Sequence, residues 1–268
     1  MLPSEVTDDL DVIRPLLSRS GWLLQEKMDG KRALVTASPG SAAAISRQDK
    51  PLSLSDAQLS AALSSVPASV VLDGELLGPS GDRTLWVFDI LHHDGADLCG
   101  LPLVDRLARA EAVVAAIGSP RVRFVSVSVS AVDKIARAGA LHDSGREGFV
   151  LKASQSRYRP GRPRRGGPWV KFKFVSECTV RSGGIQGKGR SFSFLMTVRA
   201  GGQWVPCGRC TIPWNGGHDR ADFAEGVLWE VRYLYATPAH VLYQPRIKMK
   251  RDDVALDGVT RAQFRYRG

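Results

Sequence analysis

Few cysteines, no long apolar run and a shortage of acidic residues set the first limits on this sequence. Its four cysteines, Cys99, Cys178, Cys207 and Cys210, are spread through 268 residues. That is not the dense bridging that holds small secreted domains together, so a reducing, cytoplasmic setting is expected. Cys207-Gly208-Arg209-Cys210 is a lone CxxC. One pair leaves a structural zinc site half built, and its flanks do not form a βαβ redox unit, so two small strand residues is the better reading. The chain opens with Glu5, Asp8, Asp9 and Asp11 rather than a basic start and an apolar run, which argues against a signal peptide. No stretch reaches the length of a membrane span, and no membrane partner is expected.

The deficit of acids leaves 37 Lys and Arg against 27 Asp and Glu, a net charge of +10. A surplus of that size suits a polyanion, either nucleic acid or an anionic membrane. With 43% hydrophobic and 24% charged residues, the chain has the composition of a globular protein with room for one large domain or two modest ones.

Hydrophobic patterning divides the chain. Trp22 to Lys27 is strand-like, Met28-Asp29-Gly30-Lys31 signals a turn, and Arg32 to Thr36 resumes a strand. Ser69 to Leu72, Asp73-Gly74 and Glu75 to Leu77 repeat that strand–turn–strand pattern, and Leu85 to Leu91 is a further β-favouring run. Leu103, Leu107, Ala110, Val114 and Ile117 recur at helical spacing until Gly118 and Pro120 stop the helix. A second helix is expected over Ala131 to Leu141, and a strand over Phe149 to Lys152. Arg157 to Lys173 contains Arg157, Arg159, Arg162, Arg164, Arg165, Lys171 and Lys173 and no acid. Its prolines and glycines predict an exposed basic loop ending in a strand at Trp169 to Phe174. Beyond Val175 short apolar runs alternate with Gly-rich turns, as in a small barrel, and an OB-fold is the obvious candidate.

Lys27-Met28-Asp29-Gly30-Lys31-Arg32 carries the chemistry. A lysine at a strand end before a tight turn is held in a fixed direction. It becomes a nucleophile when its amine is neutral, which burial, nearby cations or a metal promote. Arg32, across the turn, can supply a cation and a phosphate contact. Taken alone, the motif could equally be a solvated surface hairpin. Ser46-Arg47, Asp73-Gly74-Glu75, Phe88-Asp89-Ile90-Leu91, Glu147 to Lys152 and Trp169-Val170-Lys171-Phe172-Lys173 then follow in order. Lys171 and Lys173, two apart on a strand, face one side.

These segments, in this order, resemble the nucleotidyltransferase motifs of ATP-dependent DNA ligases, from about residue 20 to the C-terminus. The resemblance implies an α+β fold: an adenylyltransferase domain over residues 1–174, with antiparallel sheets and flanking helices, then a small all-β OB-fold domain over 175–268. It implies that Lys27 attacks the α-phosphate of ATP. Gln25, Arg32, Arg47, Glu75, Phe88, Lys152, Lys171 and Lys173 would bind the nucleotide, Phe88 by stacking on adenine with core packing as its competitor. Glu147, with Glu75, would place Mg2+ or Mn2+. Asp29, Asp73 and Asp89 would serve turns or support other residues.

Pro245 to Asp253 resembles the last ligase motif, in which Arg246, Arg251 and Asp252 would orient the leaving pyrophosphate. DNA ligases usually carry an arginine two residues before the proline, where this chain has Tyr243. The implied partner is nicked double-stranded DNA, gripped through its phosphates by Arg157, Arg159, Arg162, Arg164 and Arg165, and the implied form is a minimal two-domain monomer. An RNA ligase or capping-type enzyme would use the same lysine, and a non-catalytic nucleic-acid binding protein would have lost it.

Overall fold

The computed structural model describes residues 5–7, 10–161, 167–187, 192–212 and 217–267. The chain packs as two units, Met1–Leu141 with Gly148–Phe172, and His142–Glu147 with Lys173–Gly268. Elements β1 (Glu5–Thr7), α1 (Leu10–Ser18), β2 (Trp22–Glu26), β3 (Lys31–Ser38), β4 (Ser41–Ser46), β5 (Pro51–Leu52), α2 (Ala57–Ser64), β6 (Val70–Leu77), β7 (Thr84–His93) and β8 (Ala96–Asp97) come first. They are followed by α3 (Leu103–Ile117), β9 (Val122–Phe124), β10 (Val127–Ser128), α4 (Ala131–Asp143), β11 (Gly148–Ala153) and β12 (Trp169–Lys173).

Two sheets form. The larger has the order β5-β4-β3-β6-β7-β8, with β9 added in parallel beside β7. The smaller has the order β1-β12-β11-β2-β10, with β10 and β11 both antiparallel to β2. Inward residues of the larger sheet, among them Ala33, Val35, Leu72, Leu85 and Val87, pack against Leu59 and Leu63 of α2 and Ala110, Val113 and Val114 of α3. Leu103 and Leu107 of α3 instead join Leu23 and Trp169 of the smaller sheet. One helix therefore serves both cores. It ends as expected at Gly118, whose φ of 64° lets its N–H reach back to Val114 O.

Asp73-Gly74 is a correction. These residues do not turn the chain; β6 runs unbroken through them. A Cβ on Gly74 would lie 2.8 Å from Trp86 O and from Leu85 Cδ1, so glycine is there to let β7 come close. The ladder between β6 and β7 shifts register at this point.

A buried ion pair ties α3 to β7. Arg106 and Asp89 are both 0% exposed, with Nε–Oδ1 at 2.9 Å and Nη2–Oδ2 at 2.8 Å. Arg106 Nη1 also donates to Leu101 O and Ser156 O, at 2.8 and 3.1 Å. Asp89 accepts a further bond from Ile90 N–H.

The second unit holds β13 (Ser176–Gln186), β14 (Phe192–Ala200), β15 (Gln203–Ile212), β16 (Leu228–Tyr233) and β17 (Arg246–Arg251). Their order is β15-β14-β13-β16-β17. The outer strands approach each other where the Cys210 thiol meets Pro245 O at 3.5 Å, ahead of β17. Five strands in this order make the expected small OB-type barrel. Val180, Phe194, Met196, Val198 and Val231 fill it, with Phe223 stacked on Trp229 at 4.4 Å. Cys207 and Cys210 both point inward although they are three positions apart, because Gly208, at φ 113°, is an extra residue in β15. Both are free thiols, and burial pushes them up to about 12 and about 11. They are small strand residues, as expected. No helix among the described residues is long and apolar enough to cross a membrane.

Removing one member of a buried pair strands the other charge. Arg106→Met is expected to lower the unfolding free energy by about 3–5 kcal/mol in a denaturant titration, and Arg106→Met/Asp89→Asn to recover most of it.

Candidate active site

Lys27 follows the last residue of β2, and its N–H continues the ladder to Gly148 O at 3.0 Å. The side chain is half-buried. The following turn is tight at Gly30, where a Cβ would lie 2.4 Å from Leu76 O. Gly30 thus presses the turn onto the end of β6 and limits where Lys27 can point.

Arg32 sits on β3 opposite Glu75 on β6, and Leu34 opposite Asp73. Its guanidinium is held in a fork by Asp73, with Nε–Oδ1 at 2.9 Å, and its Cζ lies 5.9 Å from the Phe88 ring centre. Burial works against the charge on Arg32, but the bond to Asp73 more than offsets it and the pKa is raised. Asp73 is 0% exposed. Its role is to aim an arginine.

On the smaller sheet Gln25 pairs with Val150 and Leu23 with Lys152, so Gln25 and Lys152 share a face. Both are buried, at 1% and 2% exposure. Gln25 Nε2 donates to Val125 O at 2.8 Å, and Gln25 Oε1 accepts from Lys152 Nζ at 2.6 Å. Lys152 also donates to Phe88 O at 3.2 Å and lies 4.8 Å from the Phe88 ring centre and 4.0 Å from that of Trp169. Burial pulls its amine down to about 7, against the opposing pull of Asp89 and Asp73. Phe88 is half-buried, packed against the cluster of Leu23, Leu103, Leu107 and Trp169. Because Trp169 covers Lys152, Lys171, two residues along β12, faces the same side. Tyr158 also packs there, its phenol pushed up to about 12 by burial.

Gln25, Lys152, Phe88 and Arg32 are thus brought together by direct contacts, with Lys27 just beyond the end of β2 and Lys171 on β12, the neighbour of β11. Arg47 is exposed in the turn after β4. Arg157 and Arg159 are exposed, while Arg162, Arg164 and Arg165 lie outside the described residues.

In the second unit, the Glu147 carboxylate is buried and accepts Lys173 Nζ at 2.8 Å; Lys173 also meets Gln244 Oε1 at 3.3 Å. Arg246 opens β17 and is exposed, as is Asp252. Arg251 is engaged by Asp253, with Nε–Oδ1 at 2.7 Å, and by Glu230, and these carboxylates raise its pKa. Lys248 bridges Glu177 and Glu230 at 2.5 and 2.6 Å.

Arg106 and Trp169 are the supporting residues that sequence reasoning passed over. The signal for Arg106 was present: it lies three residues after Leu103, on the buried face of α3. An arginine on an apolar helix face must have an acceptor inside.

The ATP dependent DNA ligase domain family matches residues 79–173. A probable DNA ligase of Nocardioides sp. (strain ATCC BAA-499 / JS614) is 28% identical over all of this chain and 56% of its own length. Among solved structures, the ligase domain of LigD from M. tuberculosis superposes with a TM-score of 0.57 and 25% identity, covering 97% of both chains. Over residues 79–173 the chain is therefore similar to the ATP dependent DNA ligase domain. A Lig E DNA ligase, at 18% identity, shares the fold with a TM-score of 0.64 over 87% of this chain and 93% of its own. The chain spans about half the length of the Nocardioides ligase, and its match to the multifunctional end-joining repair protein LigD of Mycobacterium tuberculosis covers 24% of that protein.

Lys152 makes stability depend on pH in a definite direction. Its folded pKa, about 7, lies below the ordinary lysine value, so the unfolded chain takes up the proton first as pH falls. Stability is therefore expected to drop as pH falls from the ordinary lysine range toward about 7 and to level off below that. Denaturant titrations across this range should show the slope in the native chain and its loss in Lys152→Met.

Proposed function

We propose that this chain is the catalytic module of an ATP-dependent DNA ligase that seals nicks in duplex DNA between 3′-hydroxyl and 5′-phosphate ends. The observation that supports this best is the setting of Lys27. Its amine leaves a strand end fixed by Gly148 O and the close turn at Gly30, on a sheet that also presents Lys171.

In this reading Lys27 Nζ, having given up its proton, attacks the α-phosphorus of ATP. A nitrogen–phosphorus bond forms, the bond to the bridging oxygen breaks and pyrophosphate leaves. In-line transfer at phosphorus depends on positioning and charge neutralisation, which Arg32, Lys171 and Lys173 would provide, with Arg47 reaching ribose or phosphate and Glu75 beside the ribose. Phe88 and Gln25 would hold the base. Arg246, Arg251 and Asp252 would orient the pyrophosphate. The 5′-phosphate of the nick then displaces Lys27 from AMP, and the 3′-hydroxyl displaces AMP from that phosphate.

Among the described residues no group of three or more His, Cys, Asp or Glu side chains is built to hold a metal alone. The ion in this reading is Mg2+ or Mn2+, which one or two carboxylates and the substrate's phosphates can hold. Glu147, with Glu75, would be the protein's share, and the ion would polarise the phosphate under attack. Residues 1–174 would act as the nucleotidyltransferase domain and 175–268 as the OB-fold domain, in a cytoplasmic monomer. Arg157, Arg159, Arg162, Arg164 and Arg165 would grip the DNA backbone without reading sequence.

Incubation with α-labelled ATP and magnesium is expected to label the native chain and leave Lys27→Ala unlabelled. Nicked duplex should then release the label as it is sealed. Label on Lys27→Ala would remove Lys27 as the nucleophile. If several phosphates are contacted, duplex affinity should fall by about 10³ or more between roughly 50 and 200 mM salt, and a flat salt response would argue against the phosphate grip.

A further inference from the structure

Lys152 is a cation placed where a cation is costly. Its amine is out of water, yet it contacts side chains or backbone of three other strands: Gln25 on β2, Phe88 on β7 and Trp169 on β12. Those strands belong to both sheets of the first unit. An ammonium has three N–H donors. Here the acceptors are Gln25 Oε1, Phe88 O and the π faces of Phe88 and Trp169.

The contacts also fix which way the Gln25 amide faces. With Nε2 on Val125 O and Oε1 on Lys152, a flipped amide would set two donors against each other. The carbonyl oxygen keeps a second lone pair.

We propose that Lys152 is a positioning residue for the nucleotide-charging step, clamping the Phe88 strand and the Gln25 amide into one arrangement for the base. This rests on the reading of Lys27 as the adenylated residue. Lys152 acts through these two neighbours rather than by touching phosphate.

The clamp is sensitive to protons. The groups around Lys152 are Asp73 on β6 and Asp89 on β7, which favour its charge, and Arg32 on β3 and Arg106 on α3, which oppose it. Tyr158, packed in the same cluster, is held neutral by burial. Lys27, just after β2, and Lys171 and Lys173 on β12 are the other cations on these elements. Below about 7 the amine is charged and offers all three donors; above it one donor and the attraction to the rings are lost.

The test measures KM for ATP and the rate of lysyl-AMP formation at saturating ATP, with saturating magnesium, on the full chain. In Lys152→Met, KM is expected to rise about tenfold, a loss of about 1.4 kcal/mol, while the saturated rate stays within about threefold. Lys152→Arg, which stays charged, should restore a low KM. Native KM should climb as pH rises through about 7, and the Arg variant should show no such change.

A folded Lys152→Met with native KM, or one that loses rate with KM unmoved, overturns the proposal. If the Met variant does not fold, the native profile decides, and a KM that stays flat through about pH 7 overturns it. A native chain that takes no label from ATP defeats the adenylation reading itself. A labelled native chain with an unaffected variant defeats this inference alone.

Discussion

Charge taken out of water must be answered at once by a partner, and that constraint shapes the first unit. Asp73 meets Arg32, Asp89 meets Arg106, Lys152 meets Gln25 and Phe88, and Lys134 reaches the carbonyls of Arg19 and Trp22 at 2.7 and 2.9 Å. Each pairing joins separate segments of the chain, and that of Lys152 spans three strands. Together they connect β2, β3, β6, β7, β11, α3 and α4, so the same bonds that satisfy buried ions hold the strands carrying the candidate site. Such pairs add little net stability over a well-packed apolar core, but they penalise a misplaced strand heavily, since any shift leaves an ion without its partner.

This explains what could be read in the chain and what could not. Lys27, its turn and Arg32 were legible because turn chemistry is local: Asp29-Gly30 interrupts the strand pattern within a few residues. The helix of Leu103 to Ile117 was legible for a similar reason, its apolar residues recurring at one period until a glycine ends it. Asp73-Gly74 has the same turn-forming chemistry but lies inside a strand. Its glycine answers a neighbouring strand and its aspartate a distant arginine, 41 positions earlier. No local rule contains either partner.

Lys152 shows the limit in another form. In a linear sequence a lysine at the end of an apolar strand reads as solvated. Its burial follows only once Trp169, Phe88 and Gln25 have been brought around it from 17, 64 and 127 residues away respectively. The order of the motifs carried the resemblance to DNA ligases, while the work of individual residues within them depended on contacts between motifs.

The second unit was easier in outline, since alternating apolar residues and glycine turns give a barrel from strands that are each simple. Gly208 is the exception within it. Just before it the odd-numbered Cys207 is buried with Pro206 exposed, and after it the even-numbered Cys210 and Ile212 are buried with Arg209 and Thr211 exposed. The glycine works like a frameshift in the inside–outside code of the strand. Closing the bulge while keeping the glycine would evert one half of β15 and present Arg209 and Thr211 to the apolar interior, whereas deleting the glycine would leave Cys207 and Cys210 inward by plain alternation.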